Sequence, residues 1–135
     1  MPDGRPPTAH DEIRVWLDDD LVDRAAPVGW IHVTTSQAAI DLLDTGSVVE
    51  LSLDHDLGED ELFGRGIDVV DWLAEQQEVQ GRLLWPRDGI TIHSANPAGR
   101  DAMVRGIERY ASKTLAVHQS LTHGGRPRLT FEEQW

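Results

Sequence analysis

The chain has no cysteine and only one lysine, Lys113, and its aromatic residues are five Trp against two Phe and one Tyr. Without thiols there is no disulfide framework, no thiolate nucleophile and no hint of export. No apolar run approaches the ~20 residues of a membrane-spanning helix. The opening MPDGRPPTAHDE has no basic stretch leading into an apolar one, so no secretory signal is expected. These absences lead us to expect a cytoplasmic protein without membrane contact. Positive charge is also scarce: 12 basic against 24 acidic residues give a formal net charge of -12. Such a surface repels phosphate backbone, which argues against gripping long duplex nucleic acid. A short nucleotide or an RNA end stays within reach, because a bound divalent cation inverts the local field. The composition identifies no protein partner.

The chain of 135 residues suits one core. We expect a disordered leader over 1–11, rich in Pro and Gly, and a single domain over 12–135. Ile13 to Leu17 alternates and ends abruptly in Asp18-Asp19-Asp20, the pattern of a strand running into a polar loop. The stretch from Leu21 to Gly29 is too broken for a helix, and Trp30 to Thr34 reads as a second strand. Ser36 is placed to cap a helix that Gly46 stops. Val48 to Leu53 is a third strand, again ending in acid at Asp54-His55-Asp56. A loop with Gly58, Gly64 and Gly66 leads into a helix over about Ile67 to Gln77. A short strand from Ile90 to His93 follows, then a helix opened by Asn96-Pro97. Leu115 to Val117 is a candidate fifth strand, and Arg126 to Trp135 reads as a tail.

This order predicts an α/β fold, a mainly parallel sheet of 4–5 strands flanked by helices. Parallel strands bring their polar ends to one edge, where ligands of such sheets bind. Carboxylates gathered there repel one another unless a cation compensates, and oxygen donors suit Mg²⁺ or Mn²⁺. Asp18, Asp19 and Asp54 are therefore the candidate metal ligands. His55 and His93 are candidates for acid–base work across one phosphate. Ser94 and Asn96 are candidate phosphate contacts, Asn96 also as a helix cap beside an anion-attracting helix end. Asp56 and Asp68 are secondary candidates.

With these residues in hand, the chain resembles the receiver superfamily, the flavodoxin-like fold of response regulators. That pattern has an acidic pair after the first strand, a phospho-accepting aspartate after the third and Ser or Thr after the fourth. Here these fall on Asp18 and Asp19, Asp54, and Ser94. The pattern's lysine after the fifth strand has no match, since Lys113 follows a helix. A closer resemblance is to the cyclic-phosphate processing receiver domain, carried by Val15-Trp16-Leu17-Asp18-Asp19, Pro27 to Trp30, Ser52 to Gly58, Gly66 to Val70 and His93-Ser94-Ala95-Asn96-Pro97. It implies a phosphoesterase acting on cyclic phosphates, such as 2′,3′-cyclic phosphate ends met in RNA repair. The alternative is a non-enzymatic signalling module, phosphorylated on Asp54 or binding a partner or nucleotide.

Overall fold

A computed structural model describes residues 8, 11–56 and 64–133. The leader expected over 1–11, the Leu57-Gly58 motif and the last two residues lie largely or wholly outside that range. Six strands and three helices follow in the order β1 (Ile13–Leu17), β2 (Ile31–Val33), α1 (Ser36–Asp44), β3 (Val48–Leu53), α2 (Gly66–Glu78), β4 (Ile90–Ile92), α3 (Pro97–Ala111), β5 (Leu115–Leu121) and β6 (Pro127–Glu133). They form one sheet of order β2-β1-β3-β4-β6-β5, parallel from β2 to β4. The architecture is the expected receiver-like, mostly parallel α/β sheet. Among the described residues no helix is long and apolar enough to cross a membrane.

The strand count exceeds the expected four or five because the segment read as a tail is β6. It pairs antiparallel with β4 on one side and β5 on the other. Pro127 is tolerated because it is the first residue of that strand. Leu129 then faces the core, fully buried.

Helix ends follow local chemistry. The Thr35 hydroxyl accepts from Ala38 N at 3.1 Å, so Thr35 rather than Ser36 caps α1. Asp68 accepts from Arg65 N at 2.8 Å and closes the start of α2. Asn96 Oδ1 accepts from Gly99 N at 3.0 Å at the start of α3, with Pro97 in the first turn.

The helices pack in chain order, α1 on α2 and α2 on α3. They cover one face of the sheet, where Val15, Leu17, Leu51, Leu53, Ile90 and Ile92 meet Leu43, Val70, Leu73, Met103 and Ile107. Burial of this apolar surface is the main stabilising term. Strand order reverses between β1 and β3: β1 to β2 runs one way, and β2 to β3 and β3 to β4 run the other. Right-handed crossovers then place the β1–β2 connection on the opposite face. That connection, residues 18–30, contains no helix. The opposite face carries Arg14, Glu50, Thr91 and Arg128, with Glu50 holding Arg14 at 3.0 Å and Arg128 at 2.8 Å. The reversal point, between β1 and β3, is where a ligand crevice is expected.

Candidate functional site

Backbone hydrogen bonds carry the parallel ladder one residue past the strands. Asp18 N donates to Val33 O at 3.1 Å, Asp54 N to Leu17 O at 2.9 Å, and His93 N to Leu53 O at 2.9 Å. The three polar clusters seen in the sequence therefore stand side by side at the carboxyl edge. Asp18 and Asp54 are buried and Asp19 is exposed. One oxygen from each lies within 4.8 Å of the others, spacing suited to a single ion.

Asp54 is the most stressed group of the cluster. Its Oδ1 accepts from His55 N at 2.9 Å, whereas its buried Oδ2 has no hydrogen-bond partner among the described residues. Burial, with the charge of Asp18, pushes its pKa up to about 6 against the pull of Arg24. A buried carboxylate oxygen left without a donor is costly. A hard divalent cation is what such an all-oxygen set fits. The residues present could therefore hold a metal ion.

His93 is packed behind Asp18. Its side chain is 1% exposed and Nε2 lies 3.0 Å from Asp18 Oδ2. Nδ1 lies 2.7 Å from Ser52 Oγ, and the ring stacks on Trp16 with centroids 4.0 Å apart. Burial, reinforced by the charges of Arg126 and Arg24, drives its pKa down to about 3. The neutral ring thus donates from Nε2 to the carboxylate and accepts from the serine hydroxyl. Both nitrogens are engaged inside the protein, an arrangement that can orient Asp18. The proton-exchange role expected of it does not match this geometry.

His55 differs. Nδ1 lies 2.9 Å from Asp56 Oδ1, and that hydrogen bond holds the Asp56 carboxyl below the usual range. Asn96 Nδ2 donates to the other Asp56 oxygen at 3.2 Å. Asp56 therefore fixes the ring with its proton on Nδ1 and its lone pair on Nε2. The ring also rests on Gly99 in the first turn of α3, where a Cβ would collide with it. Ser94 is buried, and its oxygen accepts from Asn96 N at 3.1 Å, leaving its own hydroxyl proton to give. Asp68, a secondary candidate, is engaged in capping α2. Lys113 lies at the amino end of β5, paired with Glu78 and 5.1 Å from the Tyr110 ring, at the opposite edge of the sheet.

Several site residues escaped the sequence reading. Arg24 sends its guanidinium into the acidic cluster, 3.3 Å from both Asp18 and Asp54 and 3.5 Å from Asp19. It is the sole basic residue between Asp18 and Trp30, a signal that was there to be used. Ser52 and Trp16, which hold His93, looked like ordinary inner strand positions. His32 donates from Nε2 to Asp18 O at 2.7 Å and accepts from Ala26 N at 3.2 Å, tying the 18–30 connection to the site.

A family model for the cyclic-phosphate processing receiver domain matches residues 13–109. No curated protein and no solved structure matches the chain. The family match spans well over half of the sequence and takes in every acid, imidazole and hydroxyl described at the edge, so the chain belongs to the cyclic-phosphate processing receiver domain family.

Proposed function

We propose that the protein is a divalent-cation-dependent phosphoesterase that opens cyclic phosphodiesters of the 2′,3′ type on nucleotides or RNA ends. The observation that carries this is the buried Oδ2 of Asp54, which accepts no hydrogen bond among the described residues and is set within reach of Asp18 and Asp19. Asp18, Asp19 and Asp54 would hold Mg²⁺ or Mn²⁺. Such an ion, when bound, offsets phosphate charge and lowers the pKa of a water in its shell.

The chain's own groups supply the rest. His55, fixed by Asp56, takes the proton of the attacking water on Nε2. Water oxygen bonds to phosphorus as one ring P–O bond breaks, and the freed ribose oxygen takes its proton from solvent water, to which His55 returns the proton it took. The strained five-membered ring lowers the need for a strong acid at that oxygen. The Ser94 hydroxyl and the amino end of α3 favour the non-bridging oxygens. His93, through its hydrogen bond, keeps Asp18 turned toward the cation.

The test is incubation with a 2′,3′-cyclic nucleotide and Mn²⁺, read as formation of the nucleoside monophosphate. Turnover is expected, and chelation, Asp54→Asn or His55→Ala should remove it. Absence of turnover, or undiminished turnover in His55→Ala, would sink the proposal. The rival signalling reading shares Asp54 but has weaker support, because Lys113 sits at the other end of the sheet.

A further inference from the structure

We propose that Arg24 is a tethered counter-cation, which occupies the acidic cluster in the cation-free protein and is displaced when a divalent ion binds. This rests on the cation site proposed above, and it names what that site exchanges.

The guanidinium meets all three candidate ligands. Nη1 is 3.3 Å from Asp54 Oδ2, and Nη2 is 3.3 Å from Asp18 Oδ1 and 3.5 Å from Asp19 Oδ1. Nε lies 3.9 Å from Asp20. A well-formed charge-assisted hydrogen bond is shorter, about 2.7–2.9 Å. Arg24 therefore neutralises the cluster by proximity without satisfying it, and Asp54 Oδ2 stays without a hydrogen bond at 3.3 Å from the guanidinium. A fork too wide for its acceptors is a placeholder. A small divalent ion needs the same oxygens at about 2.0–2.1 Å. An ion held at that range would bring a second positive charge within a few ångströms of the guanidinium, and their repulsion drives the side chain out.

The surrounding chain allows the side chain to leave while its backbone stays. The Arg24 carbonyl accepts from the Trp16 indole N–H at 2.9 Å. On one side Asp20 Oδ1 accepts from Val22 N at 3.0 Å and Asp23 N at 2.9 Å. On the other, Ala26 N is held by His32 at 3.2 Å. The connection is thus pinned on both flanks of Arg24. Its side chain is 40% exposed, so rotation carries the head into solvent without unfolding anything.

The experiment is calorimetric titration of the full chain with Mn²⁺, comparing the wild type with Arg24→Gln and Arg24→Lys. Arg24→Gln should bind Mn²⁺ about tenfold more tightly, the change worth ~1.4 kcal/mol. It should also melt lower than wild type in chelator and recover on adding Mn²⁺. Arg24→Lys, which keeps the charge, should stay near the wild-type affinity. In the wild type, Mg²⁺ should shift the Arg24 side-chain N–H resonance. Unchanged or weaker Mn²⁺ binding in Arg24→Gln overturns the exchange, even if cyclic-nucleotide turnover is intact. Tighter binding without turnover in any form upholds the exchange and removes the phosphoesterase instead. No binding in any of the three proteins overturns both.

Discussion

His93 and Asp18 share a hydrogen bond of 3.0 Å in which neither side chain is more than 1% exposed. The imidazole is sandwiched between this carboxylate, the Ser52 hydroxyl and the Trp16 ring, a setting that fits orientation of Asp18. Removing the donor should loosen Asp18 and weaken cation binding by about tenfold or more, the usual effect of losing a ligand's outer partner. His93→Ala should show this loss, whereas His93→Gln, whose amide can restore a donor near Nε2, should keep most of the affinity and turnover. Equal loss of turnover in both variants would instead make His93 a proton-transfer group.

Two opposed titrations should shape stability in chelator. His93 is favoured neutral in the fold, about 3 against 6.5, so its contribution is full above pH 6.5 and is lost as pH falls toward 3. Asp54 is raised from 3.8 to about 6, so its buried charge costs nothing below pH 3.8 and most above pH 6. Around His93 stand Asp18, Arg24, Arg126 and His32, the last three opposing its protonation. Asp54→Asn should strip out the second slope, leaving stability that rises steadily from pH 3 to 6.5. At pH 7.5 that variant should be more stable than wild type by on the order of 2 kcal/mol, while losing Mn²⁺ binding. Denaturant melts across pH, with and without Mn²⁺, check both statements.

Two glycines make room for different parts of the site. A Cβ at Gly66 would collide with the Asp54 carbonyl and meet Met103 Sδ at 2.9 Å. Gly66→Ala should therefore destabilise by about 2–3 kcal/mol and disturb the cation site together. At Gly99 the obstacle is the His55 ring. Gly99→Ala should cost about 1–3 kcal/mol and reduce turnover by displacing that ring, while leaving Mn²⁺ affinity near wild type. Urea melts, a turnover assay and Mn²⁺ titration distinguish the two patterns.

Lys113 provides the control for the signalling alternative. It pairs with Glu78 beside Tyr110, far along the strands from Asp54. Lys113→Ala should leave cyclic-nucleotide turnover and Mn²⁺ affinity unchanged. Beryllofluoride with Mg²⁺ should give no stoichiometric adduct at Asp54 by mass or ¹⁹F spectroscopy. A stable adduct would favour a phosphorylation switch over hydrolysis.

Sequence pattern carried the ladder but not its last partners. Ile13 to Leu17 and Val48 to Leu53 were legible because alternation and an abrupt acidic stop are properties of single segments. Convergence of Asp18, Asp54 and His93 followed from parallel topology, a rule that needs no side-chain detail. What was missed depends on contacts between distant segments. Ser52 has no chemistry until His93, 41 residues on, comes to lie beside it. Arg24 looks like one more surface charge until the loop folds back. β6 hid because its first residues, Pro127-Arg128, read with Arg126 as a tail, although Leu129, Thr130 and Phe131 alternate and Gly124-Gly125 marks a turn.

The strand beside β4 comes from beyond the stretch that the family match covers. Leu129 sits opposite Ile90 there, and Arg128 ties Glu50 of β3 to the Asp88 carbonyl before β4. A recombinant piece ending at the family boundary would leave β4 as a naked margin, its amides and carbonyls open to any passing strand. Such a fragment should clump on expression where the longer chain stays dispersed. For anyone cloning this domain, the final hairpin belongs inside the insert.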